Sequence, residues 1–200
     1  KKMVIKELNF QQTNKIIIEP NQLKSQFGFI DIVAAYASNQ NKRINLTSYL
    51  KNEDVDIDVP LSDWKITLFG VTQTNQKVKR AAPGGEGLVM DYFNSDAVKR
   101  YLHHFDSVFA NSNHKIHPRA FYHDSYEVFG ANWTSQFAEV FKQNHGYDLT
   151  DYIYIMEDTL NDKLPLIIHD IRATLSELLY TEFATTWTSW VDEYNSLTRY

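Results

Sequence analysis

From about residue 62, strand-like and helix-like segments alternate along the chain. The segments, in chain order, are a strand at 63–74, a helix that Asn94 or Ser95 can cap, a strand at 119–128, a helix at about 134–145, a helix from Pro165 and the beginning of a strand at 196–200. Such alternation is typical of a parallel sheet with helices outside it, in either a doubly wound sheet or part of a barrel. The sequence therefore predicts an α/β fold.

The residues before this alternation carry short β-rich pieces separated by asparagine-rich turns. Three pieces, at 27–37, 43–50 and 54–60, alternate between apolar and polar residues or are rich in β-branched ones, which predicts small antiparallel strands. We therefore predict two parts, a β-rich leading part at 1–61 and a strand-helix part at 62–200.

Charge and composition exclude several classes of protein. The net charge of -5 has both signs interspersed, so the basic stripe expected of a nucleic-acid binder is missing. The sequence contains no run of 18 apolar residues, the length needed to span a bilayer. Its N-terminal residues also lack the apolar core of a signal peptide. The absence of cysteine removes disulfides and thiolate chemistry but leaves the compartment undecided. We expect neither nucleic acid nor a membrane as a partner.

Common catalytic motifs are also missing. The glycines at 84, 85 and 87 match neither the dinucleotide fingerprint nor the P-loop, and are best explained as a loop. The histidines lack a metal-binding spacing, and Ser125 lacks the nucleophile elbow of serine hydrolases. The histidines without such a spacing are His103, His104, His114, His117 and His123. Trp187, Trp190 and Tyr194 recur at helical spacing, which favours a core stripe over a sugar platform.

The stretch “FYHDSYEVFG” at 121–130 places charged residues at the end of a predicted strand. With a period of two, Glu127 falls at the carboxyl end, where barrel enzymes carry their active sites. A carboxyl group surrounded by Tyr126, Phe129 and Trp133 would be partly desolvated and could stay protonated near neutral pH, as a general acid must. Alternatively, Glu127 is a surface residue or an ion-pair partner, for which the sequence offers Arg119 or Lys142.

Three consecutive blocks resemble glycoside hydrolase family 106, the α-L-rhamnosidases of bacterial polysaccharide degradation. The blocks begin with “WKITLFGVTQTNQKVKRAAPGGEG” at 64, “RAFYHDSYEVFGANWTSQFAEVF” at 119 and “IRATLSELLYTEFATTWTSW” at 171. The most specific residues are Asp124-Ser125-Tyr126-Glu127-Val128, followed by “NWT” at 132–134 and “GYDL” at 146–149. The similarity extends over roughly residues 27–200.

This resemblance implies a catalytic domain of which residues 62–200 would be a partial (β/α)8 TIM-barrel segment. It implies an inverting hydrolysis that releases terminal L-rhamnose from plant or bacterial polysaccharides, and a calcium ion at the sugar-binding site. Glu127 would be the general acid. Asp124 would orient it or help hold the metal, and Tyr126 and Trp133 would bind the substrate as walls of the sugar pocket. The calcium ligands are not identified by the sequence.

The resemblance and the length together predict a segment of a longer enzyme. A complete barrel takes about 250 residues, and the general base of the family would lie beyond Tyr200. We therefore expect the chain to be inactive alone, to have the remainder of the parent enzyme as its partner, and to be prone to self-association. The family resemblance implies a periplasmic or secreted enzyme. Two alternatives remain: a glycosidase of other sugar specificity, and a non-catalytic carbohydrate-binding or interaction module on a barrel framework.

Overall fold

The computed structural model describes residues 1–51, 54–111 and 118–199, and the chain divides into two compact units. The first unit comprises Lys1–Gln73 and Ala138–Ile171, and the second comprises Thr74–Phe137 and Arg172–Tyr200.

Strands and helices both contribute to the described chain. The strands are β1 (Lys2–Ile18), β2 (Asp31–Ser38), β3 (Arg43–Asn45), β4 (Val55–Thr72), β5 (Ala120–Tyr122) and β6 (Leu197–Arg199). The α-helices are α1 (Pro20–Phe27), α2 (Ser95–Ala110), α3 (Phe137–His145), α4 (Leu164–Leu178) and α5 (Thr185–Glu193). Short 3-10 helices lie at Thr47–Lys51, Leu149–Asp151 and Ile153–Glu157, and a π-helical segment, Leu179–Ala184, joins α4 to α5. The predicted combination of helices and strands is confirmed. The predicted strand at 63–74 does not join a parallel sheet, since β4 pairs antiparallel with β1 and β2.

The first unit contains a four-stranded antiparallel sheet in the order β1-β4-β2-β3. β1 and β4 pair along almost their whole length, from Lys2 opposite Thr72 to Ile18 opposite Val55. The sequence analysis predicted small antiparallel strands but missed β1. Only Ile16 and Ile18 of that strand are buried, so most of it shows no clear apolar alternation.

β4 joins two segments that the sequence predicted as separate strands. Pro60 suggests an interruption, because proline has no backbone N–H to donate to a strand partner. The pairing with β1 is irregular at this point, where its register shifts between Ser62 and Asp58. Pro60 is thereby accommodated inside one long strand. The predicted boundary at 61/62 lies inside β4, and the chain instead divides after Gln73.

The central strand β4 is covered on both faces. Its residues 66–71 are all buried, which is the pattern of a strand that packs on two sides. One face joins the main core, whose fully or almost fully buried members are Ile16, Ile18, Leu23, Phe29, Ile32, Ala35, Ala37, Leu46, Val59, Trp64, Ile66 and Leu68. Gly70 lies where the ring of Phe29 presses on the strand: a Cβ placed there would be 2.4 Å from the ring. Glycine is therefore required by packing at this position.

Tyr36 fixes the segment that follows α3 against the sheet of the first unit. Its ring contacts Phe69 and Tyr154 edge-on, with centroids 6.0 and 5.4 Å apart, and its hydroxyl donates to the carbonyl of Thr150. Burial raises the pKa of Tyr36, so the hydroxyl keeps its proton and remains a donor.

The helix α2 of the second unit begins where the sequence predicted. The Asn94 side chain accepts a hydrogen bond from the N–H of Ala97 at 2.9 Å, as an N-cap should. Val98 and Leu102 of its apolar stripe are buried, and they pack with residues from the end of the chain in an aromatic core. Other buried members are Phe183, Trp187, Trp190 and Val191. The predicted core role of the tryptophans is confirmed.

The π-helical segment gives α5 its orientation in this core. Thr185 donates both its N–H and its hydroxyl to the carbonyl of Tyr180, five residues earlier. Phe183, inside the segment, is buried and stacks on Trp187 with centroids 6.2 Å apart. The sequence predicted one continuous helical stretch here, because a π segment has no distinct apolar period.

The second unit also contains a parallel pair formed by β5 and β6, in which Ala120 lies opposite Leu197. The predicted strand at 119–128 is wrong beyond Tyr122, since pairing ends with the N–H of His123 donating to the carbonyl of Arg199 at 2.9 Å. Glu127 therefore lies in a loop, and the argument from alternating strand faces does not apply to it. The beginning of a final strand, by contrast, is confirmed as β6.

The predicted helix at 134–145 is confirmed but begins three residues late, at Phe137. It ends at Gly146, whose φ of 75° lies in the left-handed region and whose N–H donates to the carbonyl of Lys142.

Within the described ranges, no helix has the length and apolar content needed to cross a membrane.

Replacing Gly70 by alanine should destabilise the protein by about 1–3 kcal/mol, because the buried Phe29 ring must move to admit the methyl group. Urea unfolding measures the change. Gly87→Ala is the matched control: its Cβ meets no atom within 4 Å, so its effect should stay within about 0.5 kcal/mol. Equal effects of the two substitutions would contradict the packing argument.

Asp106 should make the second unit sensitive to acid. Its Oδ1 accepts hydrogen bonds of 2.6 Å from both the Trp190 indole and the Tyr194 hydroxyl, and His103 lies 2.9 Å from Oδ2. Partial burial raises the pKa of Asp106, but the hydrogen bonds from Tyr194 and Trp190 and the nearby His103 outweigh it, so the pKa lies below its ordinary value. The stabilisation is therefore complete above the unfolded pKa of about 3.9 and is lost as pH falls through the lower folded value.

Asp106→Asn should lower the free energy of unfolding at pH 7 by about 1–2 kcal/mol, since the charge-assisted bonds become neutral ones. The difference from the unsubstituted protein should shrink at pH 3. Urea unfolding at both pH values tests this, with Asp162→Asn as an exposed control. A difference that is the same at both pH values would show that the charge of Asp106 is not what stabilises the core.

Candidate active site

A cavity of about 760 Å³ lies within the second unit. Aromatic side chains from α2, β5, the π-helical segment and α5 form its floor, and they include Phe105, Phe109, Phe121, Phe183, Trp187 and Trp190. Polar side chains line it from the loop after β5 and from residues 76–80. An apolar hollow with a few polar groups is typical of small-molecule sites.

Glu127 lines this cavity but is not shielded from water. Its side chain is 58% exposed, and its Oε2 lies 3.5 Å from the Nζ of Lys79. The predicted enclosure by aromatic rings is wrong, since Phe129 is 67% exposed and Tyr126 is 38% exposed. Glu127 lies on a loop and not at a strand end, since β5 comprises Ala120–Tyr122. The alternative of an ion-paired carboxylate describes this arrangement, with Lys79 as a partner that the sequence did not suggest.

Gln76 holds the backbone on both sides of Val128. Its Nε2 donates to the carbonyl of Glu127, and its Oε1 accepts from the N–H of Phe129 at 2.7 Å. Lys79 also contacts this loop, with its Nζ 4.7 Å from the centre of the Phe129 ring. The segment 76–79 therefore fixes the loop that carries Glu127.

The other predicted site residues lie in different settings. Asp124 lines the cavity and is exposed, and its Oδ1 accepts a 3.2 Å hydrogen bond from the Tyr122 hydroxyl. Tyr126 packs on Phe183, with ring centroids 5.2 Å apart. Trp133 is 6% exposed and packs on Phe137 at 4.6 Å, so it contributes to the interior. Of the four, Asp124 and Glu127 are brought together on the cavity. The roles of all four in catalysis or binding stay predictions.

His123 lines the cavity beside these carboxylates. Its ring lies 4.7 Å from that of Tyr126 and 4.9 Å from that of Phe183, measured between centroids. Burial lowers the pKa of His123, with Asp124 opposing this weakly, so the imidazole is neutral at neutral pH. From the sequence, His123 was weighed only as a metal ligand. Its position directly before the “DSYE” block could have indicated that it belongs to the site.

The calcium ion implied by the resemblance stays a prediction for the described chain. Calcium takes six to eight oxygen ligands, whereas the described residues contain no group of three or more acidic or histidine side chains placed to hold a metal. The carboxylates that line the cavity are Asp124 and Glu127, and Lys79 already pairs with the second. His114 and His117, which the sequence analysis considered, lie outside the described residues.

Comparisons with known proteins show that this chain is similar to glycosidases. A family model described as alpha-L-rhamnosidase, glycoside hydrolase family 106, matches residues 20–200. A protein of Formosa agariphila named “Putative beta-glucuronidase” is 30% identical over 146 residues, covering 68% of this chain and 12% of that protein. A solved rhamnosidase from Novosphingobium sp. PP1Y is 25% identical with a TM-score of 0.61, covering 82% of this chain and 17% of that one.

The chain thus spans 12% and 17% of the lengths of these two relatives. The family model, in contrast, matches most of this chain and extends into both of its units. On this evidence, the chain belongs to glycoside hydrolase family 106.

Proposed function

We propose that the chain is part of an inverting glycosidase that releases L-rhamnose, with Glu127 as the general acid. The observation that carries this proposal is the presence of Glu127 on a sugar-sized cavity in a member of a rhamnosidase family. The apolar floor would receive the faces of a sugar ring. Asp124, Ser125 and His123 on its lining would bind hydroxyl groups.

The proposed acid step requires a change at Glu127. A general acid must carry a proton when the glycosidic bond breaks, whereas Glu127 lies beside the cation of Lys79. Substrate that fills the cavity would displace water from around the carboxyl group. Lys79, whose side chain is 57% exposed, is free to turn away as this happens. Glu127 would then donate its proton to the departing oxygen.

An inverting mechanism also needs a general base roughly 6.5–9.5 Å from the acid, so that water fits between base and sugar. The other carboxylate on the described cavity lining is Asp124, which is already engaged by Tyr122. We therefore propose that the base comes from outside this chain and that the chain alone has no turnover. The parallel β5-β6 pair with helices between its strands supports the proposal of a partial (β/α)8 barrel completed by the rest of the parent enzyme. Self-association of the isolated chain, and a periplasmic or secreted location, remain part of this proposal.

A glycosidase acting on a uronide is the second candidate. Two observations favour it: Lys79 and Arg80 bring two cations to the cavity lining, and a relative is named as a β-glucuronidase. A sugar carboxylate would pair with such cations, whereas L-rhamnose carries no charge.

Glu127→Gln in the complete protein should reduce kcat by about 10²–10⁴-fold on alkyl rhamnosides, because the amide cannot donate the required proton. The loss should be much smaller on dinitrophenyl rhamnoside, whose leaving group needs no protonation. Steady-state kinetics on both substrates measure this, with the exposed Glu193→Gln as control. No turnover in the unsubstituted protein, together with sugar binding, would instead identify a carbohydrate-binding module.

A panel of aryl glycosides should show turnover on the α-L-rhamnoside and little on glucuronides, since the proposed sugar is neutral. Proton NMR of the first product should show the inverted anomer. Preference for uronides, weakened by Lys79→Met, would establish the second candidate. A retained anomeric configuration would contradict the inverting mechanism.

A further inference from the structure

We propose that Gln76 is a positioning residue for the general acid, an inference that rests on the proposed function of Glu127. Gln76 lies 51 positions from Glu127 in the chain, yet its side chain binds the backbone of the loop that carries this carboxylate. It would act through Glu127 and would not itself touch the substrate's reacting atoms.

The geometry uses both halves of the Gln76 amide. The NH₂ group donates to the Glu127 carbonyl, and the oxygen accepts from the Phe129 N–H at 2.7 Å. A neighbouring parallel strand would offer the same pair of groups: a donor for the carbonyl of Glu127 and an acceptor for the N–H of Phe129, two residues later. The side chain thus gives the loop a strand-like pair of hydrogen bonds.

Gln76 is itself held by a short antiparallel bridge. Its carbonyl accepts from the N–H of Val89 at 3.0 Å, and the N–H of Val78 donates to the carbonyl of Gly87 at 2.9 Å. Lys77 and Leu88 are the bridged pair between these bonds. The amide therefore projects from a fixed piece of backbone, which lets it restrain the loop instead of moving with it.

The same segment also carries Lys79, the ion-pair partner of Glu127. Its ammonium group lies 3.5 Å from the carboxylate and 4.7 Å from the Phe129 ring centre. The restraint that would persist when Lys79 moves away is the one that Gln76 places on the backbone. Misplacing a catalytic group by about 1 Å can cost about 10²-fold in rate, so the loss of this restraint should be visible in kcat.

Gln76→Met tests this in the complete protein, because methionine keeps the length and removes both hydrogen bonds. We expect kcat on alkyl rhamnosides to fall about 10–100-fold, with a much smaller loss on dinitrophenyl rhamnoside. Hydrogen exchange at the Phe129 amide should also become faster. Gln73→Met, an exposed glutamine three residues earlier, should change neither quantity.

The outcomes separate this inference from the function it rests on. If Glu127→Gln shows the leaving-group dependence but Gln76→Met has normal kinetics, or loses rate equally on both substrates, Gln76 does not position the acid. If Glu127→Gln itself shows no such dependence, the proposed acid is wrong and the inference falls with it. Should Gln76→Met fail to fold, Gln76→Glu keeps the acceptor and removes the donor, and the same comparisons apply.

Discussion

The parallel pairing of β5 with β6 positions the segment that carries the candidate site. Three residues pair on each strand, and the chain leaves the sheet after the N–H of His123 donates to Arg199. From that point the backbone turns along the cavity instead of continuing in the sheet. Asp124 and Glu127 both lie on this segment, line the cavity and are exposed to water.

Features determined by neighbours in the chain could be predicted from the sequence. Asn94 as a cap, Gly146 as a helix end and the core tryptophans of α5 all depend on local spacing. Features determined by distant contacts could not. The continuity of β4 across Pro60 depends on its irregular pairing with β1, and β5 forms by pairing with β6, which lies far away in the sequence.

The same distinction applies to the site. The sequence singled out Asp124 and Glu127 because a local block carries the family resemblance. Gln76 and Lys79 lie about fifty residues away, in the first block of the resemblance, but the sequence predicts no role for them and only the folded chain shows their contacts with the loop of Glu127. Trp133 belonged to the same block, yet it is buried against Phe137. A motif therefore indicates which segment matters, but the direction of each side chain is set by packing.

The π-helical segment has a consequence for how this chain tolerates insertions and deletions. A turn with five-residue spacing holds one residue more than an ordinary helical turn, and each α-helical residue rotates the following face by about 100°. Removing one residue between Leu179 and Ala184 would allow a regular α-helix and would leave α5 close to its present rotation, because the wide turn absorbs one extra residue. Trp187 and Trp190 would keep facing the aromatic core. We therefore expect a one-residue deletion to be tolerated here, whereas elsewhere in these helices it would rotate every residue that follows.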